Sequence, residues 1–113
     1  MLWRSREADI LPLCRELGIG FVPSAPLGYG FVTGAIDVAT RSSPADFQAN
    51  TSRMDAEHRV SNMALVALLQ DWAQRKSVKP GQIALGWLLA QGANIVPIPG
   101  TMQRPHLRDN TAA

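Results

Sequence analysis

The sequence predicts an α/β fold with parallel strands, and three observations carry that prediction. A helical apolar face ends at Gly18 and passes at once into the short apolar segment Ile19-Gly20-Phe21-Val22, closed by Pro23. A second segment, Asn94-Ile95-Val96-Pro97-Ile98, follows another helical pattern that Gly92 stops. Neither segment alternates polar with apolar residues, as expected for strands covered on both faces in a parallel sheet. The 113 residues suffice for one small domain and fall far short of the roughly 250 of a complete (β/α)₈ barrel. With 46% hydrophobic and 18% charged residues, the chain has the composition of a protein with a packed core.

Ile10, Leu13, Cys14 and Leu17 follow the i, i+3, i+4, i+7 spacing of one helical face and predict a helix over 9–17. Asp9 is its expected N-cap, Pro12 falls in the first turn where a missing N–H breaks no bond, and Gly18 supplies a left-handed stop. The strand at 19–22 comes next. Residues 26–56 contain Gly28, Gly30, Gly34, Pro44 and many short polar residues without sustained periodicity, so they are expected to form a long loop that covers a ligand. From Glu57 to Lys76 the residues Leu65, Leu68, Leu69 and Trp72 share one face of the longest expected helix, whose final cations suit its C-terminus. Pro80 stands where the first residue of the next helix belongs, and Ile83, Trp87 and Ala90 recur along it. After the second strand, Pro99 and Gly100 turn the chain towards a last helical stretch beyond Thr101 that contains Leu107.

The net charge is +2, and the eleven Lys and Arg are scattered among nine acids from Arg4 to Arg108. No basic stripe with interleaved aromatics is present, so nucleic acid is not an expected partner. The near-apolar runs at 63–69 and 83–90 are too short for the ~20 residues that span a bilayer, and no membrane association is expected. Cys14 is the single cysteine and cannot form an internal disulfide; with no leader-like opening, a cytoplasmic location is expected. Cys14 lies on an apolar helix face and reads as a packed side chain. His58 and His106 lack ligand spacing with any Cys or carboxylate, so no metal site is expected. Tyr29, the lone tyrosine, has no nearby lysine or carboxylate to tune it, and no catalytic constellation is visible.

The end of the second strand feeds Gly100, Thr101 and a helix start with Gln103, Arg104, His106 and Arg108. Free N–H groups, the helix dipole and these cations outline an anion site. The same residues also read as a glycine turn with a threonine cap and solvated arginines. The glycines of 26–34 do not form the dinucleotide fingerprint, because the helix and third glycine are missing from their places. If the strands are parallel, this loop and the Gly100 turn leave the same sheet edge, where α/β folds place ligands.

Four ordered segments, ILPLCRELGIGFVP at 10–23, PLGYGFVTG at 26–34, PGQIALGWLL at 80–89 and IVPIPGT at 95–101, resemble the C-terminal part of the aldo/keto reductase family. The resemblance runs from Leu2-Trp3 to Asn110. It implies a partial (β/α)₈ TIM barrel, namely barrel strands seven and eight with flanking helices, and so one C-terminal domain fragment over 1–113. The family reduces aldehydes and ketones with a nicotinamide cofactor, so NADP(H) is implied, with NAD(H) as the alternative. Its catalytic tyrosine, lysine, aspartate and histidine belong to earlier strands, and no residue here matches them. By resemblance Leu27, Gly28 and Gly30 lie along the pyrophosphate, and Gly100, Thr101, His106, Asp109 and Asn110 hold the adenosine end.

This chain departs from the family pattern in two places. Ser24-Ala25-Pro26-Leu27 stands where the family has Tyr-Ser-Pro-Leu, which removes the aromatic that stacks on the nicotinamide. Met102-Gln103 replaces a common Lys-Arg pair, leaving Arg104 or His106 to supply charge for a 2′-phosphate. Two functions follow as expectations. One is a cofactor-binding portion that is not catalytic alone and needs the missing N-terminal barrel portion. The other is a non-catalytic remnant or interaction module that packs its open strands on a partner chain or on itself.

Overall fold

The computed structural model describes residue 2 and residues 4–35 and 56–113. Four α-helices appear in chain order: α1 (Ile10–Glu16), α2 (Ala56–Lys76), α3 (Pro80–Leu89) and α4 (Arg104–Thr111). Two 3-10 segments, Ser5–Glu7 and Gly28–Thr33, precede α1 and follow it.

Local chemistry sets the helix ends. The Asp9 carboxylate accepts the Ile10 N–H at 2.7 Å, and Gly18 takes a left-handed φ of 65° just beyond α1. At the end of α2, Ser77 is also left-handed, and the Val78 N–H returns to the Ala73 carbonyl at 3.0 Å. Pro80 opens α3, and the Gln82 side chain reaches back to accept the Lys79 N–H at 3.0 Å. This is the N3-to-N-cap half of a capping box, and it satisfies a donor that the helix start would leave unpaired.

The core lies where α2 and α3 pack on the Gly28–Thr33 turn. Phe31, Val32, Val66, Leu69 and Ala84 are buried together, with Leu27, Met63 and Ile83 packed around them. This corrects the expectation that the long loop begins at residue 26. Gly28, Tyr29 and Gly30 all have positive φ, at 58°, 55° and 91°, and coil the chain tightly enough to turn Phe31 and Val32 inward. The remainder of that expected loop, 36–55, lies outside the described residues.

Two helical faces also differ from expectation. In α2 the buried residues are Val66, Leu69 and Ala73, while Leu68 and Trp72 are exposed, because the short connection to α3 fixes which side of α2 meets its neighbour. In α1 Leu11 is buried, whereas Leu13 and Leu17 of the expected face are about half exposed.

The two expected strands are reduced to one parallel bridge between Phe21 and Ile95, and no longer strand occurs among the described residues. The Phe21 N–H donates to the Asn94 carbonyl at 2.7 Å and the Val96 N–H to the Phe21 carbonyl at 2.9 Å. Pro23 has no N–H to donate the next bond, to the Val96 carbonyl, so the ladder stops. The pairing direction is the expected one. The burial is not: Val22, Val96 and Ile98 are 52%, 51% and 61% exposed, since nothing described lies on their outer sides.

Candidate functional site

The segment that follows Ile95 runs along one side of the Gly28–Thr33 turn, and α4 closes back onto the start of α3. Two polar links fix α4 there. The Lys79 ammonium donates to Asp109 Oδ2 at 2.6 Å, and the Gln82 amide donates to the Ala112 carbonyl at 3.1 Å. A cleft of about 690 Å³ lies between these parts.

Leu27, Gly30, Gly100, Thr101, His106, Asp109 and Asn110 all line this cleft. Two other residues singled out in the sequence do not. Gly28 faces a second cleft of about 660 Å³ between α1 and α3, bordered by Phe21 and Trp87. Arg104 is exposed at the first position of α4 and forms no part of the lining of the larger cleft. The Thr101 hydroxyl accepts the Gln103 N–H at 3.1 Å, so it shapes the turn before α4 and does not cap the helix itself. Gly100 has open space where a Cβ would stand, which leaves the backbone accessible to a bound group.

Lys79 is the lining residue that sequence reasoning passed over. Read locally, it ends a connector and precedes a helix-opening proline. No spacing rule ties it to Asp109, thirty positions later. Tyr29, also in the lining, is 42% exposed in its left-handed conformation. Lys79 and His106 are thus the basic residues among the described lining, with Asp109 as its acid.

The titration shifts lie outside this cleft. The Arg4 guanidinium donates to both Glu7 carboxylate oxygens, at 2.7 and 2.6 Å. Those hydrogen bonds hold the Glu7 carboxyl below its ordinary value and raise Arg4. Among the described residues no group of three His, Cys, Asp or Glu gathers as a metal site. No described helix is long and apolar enough to cross a membrane.

Comparison with known proteins agrees with the ordered motifs. The aldo/keto reductase family model matches residues 1–113. A probable aldo-keto reductase 1 of Glycine max is 41% identical across 99% of this chain and 32% of its own length. The aldo-keto reductase yakc of Schizosaccharomyces pombe, whose name carries NADP(+), is 39% identical across 95% of this chain and 32% of its own length. The chain therefore spans about a third of the length of the curated relatives it matches. A match along the whole sequence assigns this chain to the aldo/keto reductase family.

Proposed function

We propose that this chain is the cofactor-holding portion of an aldo/keto reductase, contributing strands seven and eight and their helices to a (β/α)₈ barrel. One observation carries the reading: segments about 70 residues apart in sequence, Leu27 to Gly30 and Gly100 to Asn110, wall the same cleft. The cleft's volume of about 690 Å³ is within the range of cofactor sites. Its open backbone at Gly100 and its basic residues Lys79 and His106 fit the phosphates and polar sugar of a nicotinamide dinucleotide. NADP(H) is the cofactor proposed, with NAD(H) as its competitor. When bound, the nicotinamide supplies the hydride that reduces an aldehyde or ketone.

In this reading Leu27 and Gly30 bound the middle of the dinucleotide. Gly100 and Thr101 offer backbone and hydroxyl groups, and Asp109 and Asn110 hold the adenosine end. Without an aromatic at Ser24, the nicotinamide gains no stacking from this segment. The proton donor for the carbonyl oxygen belongs to polypeptide outside these 113 residues, so the chain alone does not turn over.

A second reading rests on the exposed faces of Val22, Val96 and Ile98. Apolar strand segments with open edges are docking surfaces, and they equip the chain to pack on a partner polypeptide or on itself. Both readings yield to measurement. Titration with NADPH, following cofactor fluorescence and thermal unfolding together, is expected to give a saturable rise in Tm that weakens in His106→Ala. Absence of a shift overturns the cofactor reading. A sedimentation boundary that stays monomeric across the micromolar range, with no association on adding the N-terminal portion of a related reductase, overturns the docking reading.

A further inference from the structure

We infer that Lys79 is the residue through which the cleft recognises a phosphate monoester on its nucleotide, and that it thereby sets preference for NADP(H) over NAD(H). The inference rests on the cofactor reading above and adds a residue and a selectivity to it. The positions after Thr101 provide no such charge: Met102 is fully exposed, Gln103 is neutral, and Arg104 lies outside the cleft lining. Lys79 and His106 remain, and of the two Lys79 has its charged end placed in the lining by a contact, with Asp109.

Geometry supports the assignment. Lys79 is rooted firmly, since its backbone N–H is held by Gln82 and its carbonyl accepts from the Gln82 N–H at 2.9 Å. Its side chain is 62% exposed even though Nζ touches Asp109 Oδ2 at 2.6 Å. An ammonium carries three donors, and a single carboxylate contact leaves the others for a second anion. Asp109 is more enclosed, at 26% exposure, so a phosphate entering the cleft meets its negative charge. A phosphate monoester carries about −1.5 to −2 at neutral pH, and a carboxylate beside it repels unless a cation stands between them. Lys79 already stands against that carboxylate. It can bridge Asp109 and the phosphate, whereas a dinucleotide without the monoester gains nothing from the bridge.

The test compares Kd values for NADPH and NADH on the 113-residue chain, by cofactor fluorescence, for the wild type, Lys79→Gln and Lys79→Arg. Lys79→Gln is expected to weaken NADPH about tenfold, the order expected for a lost charge-assisted hydrogen bond, and to leave NADH within about twofold. Lys79→Arg is expected to keep the preference. Circular dichroism at the same temperature shows whether each variant stays folded. If Lys79→Gln weakens both cofactors equally, as loosening of α4 would, Lys79 is only a tether and the inference fails. It fails too if the wild type binds both cofactors equally well, or if Lys79→Gln leaves the preference intact. A wild-type chain that binds neither cofactor removes the cofactor reading and this inference together.

Discussion

Replacing Phe31 by alanine tests the core directly. Its side chain is fully buried among Val32, Val66, Leu69 and Ala84, in a turn that sequence periodicity did not mark as core. Truncating a buried phenylalanine costs about 3–5 kcal/mol, from lost transfer energy and the cavity left behind. A domain of this length has about 6–17 kcal/mol in total, so the loss is a large fraction. The unfolding entropy of a chain this long is about 0.24 kcal/mol per kelvin, which converts the loss into a Tm decrease of about 13–21 °C. The matched control is Leu68→Ala, a residue 52% exposed that helical spacing alone would place inside. Its expected cost is under about 1 kcal/mol, or less than about 4 °C. Thermal unfolding followed by circular dichroism at 222 nm separates the two. Equal decreases for both variants, or a larger one for Leu68→Ala, would refute the packing of the Gly28–Thr33 turn under α2 and α3.

Three further outcomes are expected. Gly28→Ala places a Cβ at φ 58° and 3.3 Å from Leu2 Cδ1, so it should cost about 1–2 kcal/mol and lower the urea midpoint; an unchanged midpoint would count against the left-handed turn. Gly100→Ala meets no neighbour and should leave Tm within about 2 °C while weakening NADPH binding severalfold; unchanged binding would show that the ligand keeps clear of this backbone. The Glu7 carboxyl should titrate below 4.5 by NMR and return to its ordinary value in Arg4→Gln. Because its folded value is lowered, its contribution to stability is present above 4.5 and disappears as the pH falls through the folded value; a wild-type midpoint at or above 4.5 would contradict the Arg4 contact.

Helix boundaries were legible because their signals are local: Asp9, Gly18 and Pro80 each act within a turn of their own position. The parallel relation of the segments around Phe21 and Ile95 was legible too, from apolar runs placed after helical patterns. Their burial was not, because it depends on neighbours that an apolar run anticipates without supplying. Phe31 and Val32 escaped notice for the opposite reason. Adjacent residues in a coil of left-handed conformations follow neither a 3.6 nor a 2 period. In the cleft, the strand-end rule brought Leu27 and Gly30 to the same edge as Gly100 and Thr101. Lys79 enters only through tertiary contact, and nothing in the sequence around it announces Asp109.

The bridge between Phe21 and Ile95 also bears on the order in which the molecule assembles. Joining positions about 74 residues apart costs about 3.8 kcal/mol in chain entropy before other structure forms. The two ladder bonds and the Asn94 amide to the Ile19 carbonyl return about 1.5–4.5 kcal/mol together, so the bridge hardly sustains itself. Once Phe31 is packed between Val66 and Ala84, however, the remaining gaps shorten to about ten residues on either side and closure becomes inexpensive. The helical core is therefore expected to condense first and the bridge to close late and open early. Amide exchange at Phe21 and Val96 should then be fast compared with exchange at Leu69 and Leu85, leaving the Phe21 and Ile95 border of the cleft between α1 and α3 readily remodelled.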